Sequence, residues 1–107
     1  MFIELAKGLN ERGAGVRAYD ACARAARARM AGEPENAAAL LLISYAAQLF
    51  VDAYDDQPLS VAAAGEEFEQ FSKIVTTLED AYGSGSAEAK VDALNRVAAM
   101  LVSARRG

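Results

Sequence analysis

A chain of 107 residues is long enough for one hydrophobic core and too short for two, so residues 1–107 are expected to form a single domain. Apolar residues make up 53% and charged residues 24%, which excludes a disordered chain, and a net charge of −4 removes the bulk attraction that nucleic acid or an anionic membrane surface needs. The single cysteine, Cys22, rules out an internal disulfide, and the absence of histidine rules out Ser-His and Cys-His catalytic pairs and the Glu-x-x-His units of di-iron bundles.

The opening stretch FIELAKGLNERG carries Phe2, Leu5, Ala6 and Leu9 at helical spacing, which predicts a short extra helix that lids the core. Glu4 stands where a secretion signal is apolar, and no basic segment precedes it. The following GAGVRAY, Gly13 to Tyr19, contains G-x-G-x-x-A, the glycine spacing of a dinucleotide-binding turn. That turn needs a preceding strand and a βαβ unit, and here a helical segment precedes it, so the glycines are read as a hinge. GLNERGAG likewise lacks the lysine and hydroxyl residue of a P-loop.

Glycine, proline and aspartate clusters then divide the chain into four segments of helical length with no alternating β-branched run between them. The expected fold class is all-α, an antiparallel four-helix bundle with the short N-terminal helix added. The first main helix, 16–31, places Val16, Tyr19, Ala23, Ala26 and Met30 on one face and Arg17, Asp20, Arg24 and Arg27 on the other. Its mostly alanine face predicts close approach of a neighbouring helix. The second helix, 35–54, has one apolar seam in Ala39, Leu42, Ala46, Leu49 and Ala53, and a second row in Leu40, Ala47, Val51 and Tyr54. Only Ser44, Gln48, Asp52 and Asp55 mark a polar line, so the surplus of apolar surface predicts a partner. The third helix, 60–82, runs Val61, Ala64, Phe68, Phe71, Val75, Leu78 and Tyr82 as a heptad seam, with Ser60 as N-cap and Gly83 just past its end. The fourth, 87–105, has Ser86 as N-cap and a seam in Val91, Leu94, Ala98 and Leu101, with Arg105 and Arg106 near its end suiting the helix dipole. The longest uncharged run, Asn36 to Val51, falls short of the roughly 20 residues of a membrane span and contains Ser44 and Gln48, so a cytoplasmic protein without membrane contact is expected.

AYDACARAARARMAGEPENAAALL resembles one tetratricopeptide helix followed by its proline turn. The resemblance covers about a quarter of the chain and does not recur at a period of about 34 residues, so it implies a helical hairpin and not a repeat array.

These features favour a non-enzymatic protein-protein interaction module, a homodimer in which Leu40, Ala47, Val51 and Tyr54 contribute to the interface, with no cofactor. One alternative is a metal-dependent hydrolase holding Mg²⁺ or Mn²⁺ on Asp52, Asp55, Glu66 and Glu69 at the junction of the second and third helices. Helical nucleotide pyrophosphohydrolases use similar clustered acidic motifs, but EEFEQ puts Gln70 where the last acid of E-E-x-x-E stands. A second alternative is nucleic-acid binding through Arg12, Arg17, Arg24, Arg27 and Arg29, aided by Arg96, Arg105 and Arg106. Asp20 gives Arg17 and Arg24 a local acidic neighbour, which argues for a solvated helix face. Cys22 reads as a small buried hydrophobe, and Tyr19, Tyr45, Tyr54 and Tyr82 as core or interface residues.

Overall fold

The computed structural model describes the backbone of residues 1–106 and side chains through residue 103. No strand occurs among the described residues; five helices pack compactly, α1 (Ile3–Glu11), α2 (Val16–Met30), α3 (Ala37–Tyr54), α4 (Val61–Ser84) and α5 (Ala87–Arg106), with a 3-10 turn at Pro34–Asn36. The side chains of Arg105 and Arg106 lie outside the described residues.

The N-terminal helix is more than a lid. Phe2 is fully buried, Leu5, Ala6 and Leu9 are buried behind it, and α1 packs against both α2 and α4. None of its own side chains caps its first turn. The carboxylate of Glu79, on α4, does so: its Oε1 accepts from the backbone N–H of Phe2 at 2.6 Å and of Ile3 at 2.9 Å. A negative side chain at a helix N-terminus satisfies orphan donors and complements the dipole. The Phe2 ring meets Tyr82 edge to face at 5.2 Å, and the Arg29 guanidinium lies 6.0 Å from its centroid.

The glycine joint is a tight turn. Gly13 (φ 96) and Ala14 (φ 52) are both left-handed, and the Gly13 and Ala14 N–H groups donate back to Asn10 and Leu9 carbonyls at 3.1 Å. Gly15 is extended at the N-cap of α2. A Cβ at either glycine meets nothing within 4 Å, so the difference between them is one of backbone conformation alone. Gly13→Ala is therefore expected to lower stability by about 1–2 kcal/mol. Gly15→Ala should leave it within about 0.5 kcal/mol, because reduced unfolded-state entropy offsets a poorer N-cap. Urea denaturation midpoints of the two variants check this; equal losses would return the joint to a simple hinge.

Helices α2 and α3 form the most extensive pairing, a hairpin across the Pro34 turn. Ala18, Tyr19, Cys22, Ala23 and Ala26 bury on the α2 side, which is the small-residue face the sequence predicts, widened by Ala18 and Cys22. Glu33 locks the corner: Arg29 donates to both of its oxygens at 2.7 and 2.9 Å, and the Asn36 amide donates at 3.0 Å. Those bonds hold its carboxyl down at about 2.

The apolarity of α3 has an internal cause. This helix touches α2, α4 and α5, so Ala39, Leu40, Ile43, Ser44, Ala46, Ala47 and Phe50 are all buried within the chain. Ser44, assigned to a polar line by spacing, points inward and donates to the Leu41 carbonyl at 2.8 Å. By length and composition Pro34–Tyr54 is apolar enough to cross a membrane, at 21 residues and a mean hydropathy of 1.5, and 33% of its most apolar window is buried within the chain.

The seam of α4 holds from Phe71 to Tyr82, with Ile74 added, while Phe68 is half-buried and Val61 is 91% exposed. Ser60 caps the helix by accepting from Ala63 N–H at 3.0 Å. Gly83 does not end it. Tyr82 buries beside Phe2, Ser84 donates to the Ala81 carbonyl at 2.6 Å, and the left-handed stop falls at Gly85 (φ 75). On α5 the buried row is Ala93, Val97 and Leu101; Leu94 and Ala98 flank it, and Val91 is exposed.

Candidate functional site

The row assigned to an interface from sequence is occupied within the chain. Leu40 and Ala47 are completely buried, and Val51 and Tyr54 pack half-buried against the core. The surplus that implied a partner is taken up within the chain, because α3 packs against α2, α4 and α5. The apolar residues of α3 that reach the surface form a different stripe, one turn apart along the helix: Ala38, Leu41, which is 52% exposed, and Tyr45, 38% exposed. Gln48 and Asp52 continue the stripe as a polar end, joined by a hydrogen bond of 3.0 Å.

Asp52, Asp55, Glu66 and Glu69 are not gathered into a ligand set. Among the described residues no group of three or more His, Cys, Asp or Glu stands close enough to hold a metal ion. The acidic residue of α4 that turns toward α3 is Glu67, whose Oε1 accepts from the Tyr54 hydroxyl at 3.1 Å. That bond, ahead of burial, raises the Tyr54 phenol above its ordinary range.

The arginines of α2 are partly committed to carboxylates. Arg24 pairs with Asp20 at 3.1 Å, as the spacing predicts, and Arg29 joins Glu33 and Glu4. Arg96 pairs with Asp92 on α5 at 2.6 Å. Exposed pairs of this kind contribute at most about 1 kcal/mol each, but they lower the positive charge left for phosphate.

Between α3 and α4 a cleft of about 420 Å³ opens over the α2 residue Tyr19. Its walls are chiefly Leu49, Phe50, Phe71, Ile74 and Leu101, and Asp52 and Glu67 bring carboxylates to it. Tyr19 stacks on Phe50 at 3.7 Å and 13° and meets Phe71 edge to face at 5.4 Å, so its ring is fixed from two sides. The residue is 1% exposed, yet its hydroxyl has no hydrogen-bond partner. Buried hydroxyls are almost always paired, and one left unpaired costs about 1–3 kcal/mol. Burial, with Glu67 and Cys22 nearby, pushes the phenol far above its usual range, so Tyr19 is neutral and retains its proton at pH 7.

Sequence spacing put Tyr19 in the core but gave no sign of the cleft, because the residues that shape it come from four helices. Cys22, buried with its Sγ 3.9 Å from the Leu5 carbonyl, is pushed up to about 11 by burial and is correspondingly unreactive. No family model, curated protein or solved structure matches the chain.

Proposed function

We propose that the chain is a non-enzymatic protein-contact module of the cytoplasm that works as a homodimer. In this reading it is one domain, with α2 to α5 as an antiparallel four-helix bundle and α1 added across α2 and α4. The observation that carries the proposal is the exposed apolar stripe Ala38, Leu41 and Tyr45 on the otherwise core-forming helix α3. Apolar surface on a structural element so deeply embedded is rigidly presented, which lowers the ordering cost of a contact.

The occupant favoured by the charge distribution is a second copy of this chain. The run from Asn36 to Val51 contains no charged residue, so two chains of net charge −4 can meet along it without burying or opposing carboxylates. A twofold contact of one stripe on itself is the commonest form of such association.

Sedimentation equilibrium at tens of micromolar is expected to give the dimer mass for the wild type. Leu41→Glu should give the monomer mass, while circular dichroism retains the same helix content, since Leu41 lies outside the core. A wild-type chain that sediments as a monomer across that range would sink the proposal.

A further inference from the structure

The cleft over Tyr19 has three properties that belong together. Its walls are aromatic and aliphatic, with Phe50 and Phe71 held in fixed orientation by their contacts with Tyr19. Its acidic groups, Asp52 and Glu67, make hydrogen bonds only with the neutral Gln48 amide and Tyr54 hydroxyl. Among the described residues neither has an ion-pair partner, and none that lines the cleft is basic. Finally, Tyr19 lines the cleft, and its buried hydroxyl has no hydrogen-bond partner. The volume falls in the range of small-molecule sites, about 300–1,000 Å³.

We propose that this cleft binds a small organic ammonium ion, with its apolar body against Phe50 and Phe71, its charged nitrogen at Glu67 and Asp52, and an N–H donated to the Tyr19 oxygen. Charge sign selects the ligand: an anion would face two carboxylates, against which the described lining sets only the neutral Gln70 amide and the Tyr19 phenol. Aromatic faces add a further attraction for a cation that a neutral molecule of the same shape lacks. The apolar residues Ala38, Leu41 and Tyr45 do not line the cleft, which meets their stripe only at its polar end, Asp52, so Leu41→Glu tests the association of two chains without altering the cleft's own residues.

The test uses the full chain and three probes of one shape: phenethylammonium, 2-phenylethanol and phenylacetate. Methyl resonances of Ile74 and Leu101 are followed by NMR during titration. Phenethylammonium is expected to give saturable shifts with a dissociation constant on the order of millimolar, as befits a fragment-sized ligand. The neutral alcohol should bind about tenfold more weakly, and the carboxylate should not bind. Glu67→Gln, which keeps an acceptor for Tyr54, should weaken phenethylammonium by about tenfold. Tyr19→Phe should also weaken binding yet raise the melting temperature, because it removes the unpaired hydroxyl. That opposition of signs separates a ligand-facing phenol from a structural one. Equal binding of all three probes, no saturable shift with phenethylammonium up to about ten times the expected constant, or a Tyr19→Phe variant with unaltered affinity would each overturn the proposal.

Discussion

Replacing Phe2 by alanine is expected to lower the stability of the fold by about 3–5 kcal/mol, a large share of the roughly 5–15 kcal/mol that holds a domain together. The ring is completely buried between Tyr82 of α4 and the Arg29 guanidinium of α2, and its own backbone N–H is held by Glu79. Truncation leaves a cavity bounded by three separate helices, which limits how far any one of them can relax to fill it. Urea denaturation followed by circular dichroism measures the loss. Hydrogen exchange then locates it: the amides of α1 should lose protection while those of the α2 and α3 hairpin keep most of theirs. A loss below about 1 kcal/mol would mean that α1 rests on the core without belonging to it.

The second large effect concerns two adjacent leucines. Leu40→Ala should cost about 2–5 kcal/mol, because Leu40 is fully enclosed, whereas Leu41→Ala should stay within about 0.5 kcal/mol of the wild type when measured as the dilute monomer. Denaturation midpoints of the pair, read at low micromolar protein, settle which row of α3 faces inward. Equal losses would show that the helix is rotated about its axis relative to the arrangement described above.

Much of the chain's architecture could be read directly from residue order. Ser60 and Ser86 cap α4 and α5 as their positions predict, and Tyr19, Ala23 and Ala26 face inward on α2. The helical hairpin across Pro34 is likewise present. The errors have a common physical origin, since periodicity defines a face but not how many neighbours that face will meet. On α3 both apolar rows satisfy helical spacing, and only the presence of α2, α4 and α5 around the helix decides that Leu40 is inside and Leu41 outside. On α5 the spacing places Val91 in the seam, yet Val91 is exposed and Ala93 packs inward. Glycine is common at helix ends, which points to Gly83, but what ends α4 is a left-handed φ two residues later, at Gly85.

The candidate cleft was less legible still. Tyr19, Phe50, Glu67 and Leu101 come from four helices, and no local motif records that they converge. The acidic cluster at the α3 and α4 junction is visible in the sequence as Glu66, Glu67 and Glu69, but spacing alone does not say that Glu67 is the one that turns toward α3.

The Glu79 cap on α1 sets an order of events. The hydrogen bond from Phe2 to Glu79 closes a sequence separation of 77 residues, whereas the hairpin of α2 and α3 closes across a turn of a few residues. Local contacts form first because they close small loops. The N-terminal cap of α1 is therefore completed only when α4 is in place, since it takes the Glu79 carboxylate and the Tyr82 ring to hold Phe2. Once docked, α1 acts as a latch: weakening it should accelerate unfolding while leaving the rate of folding nearly unchanged.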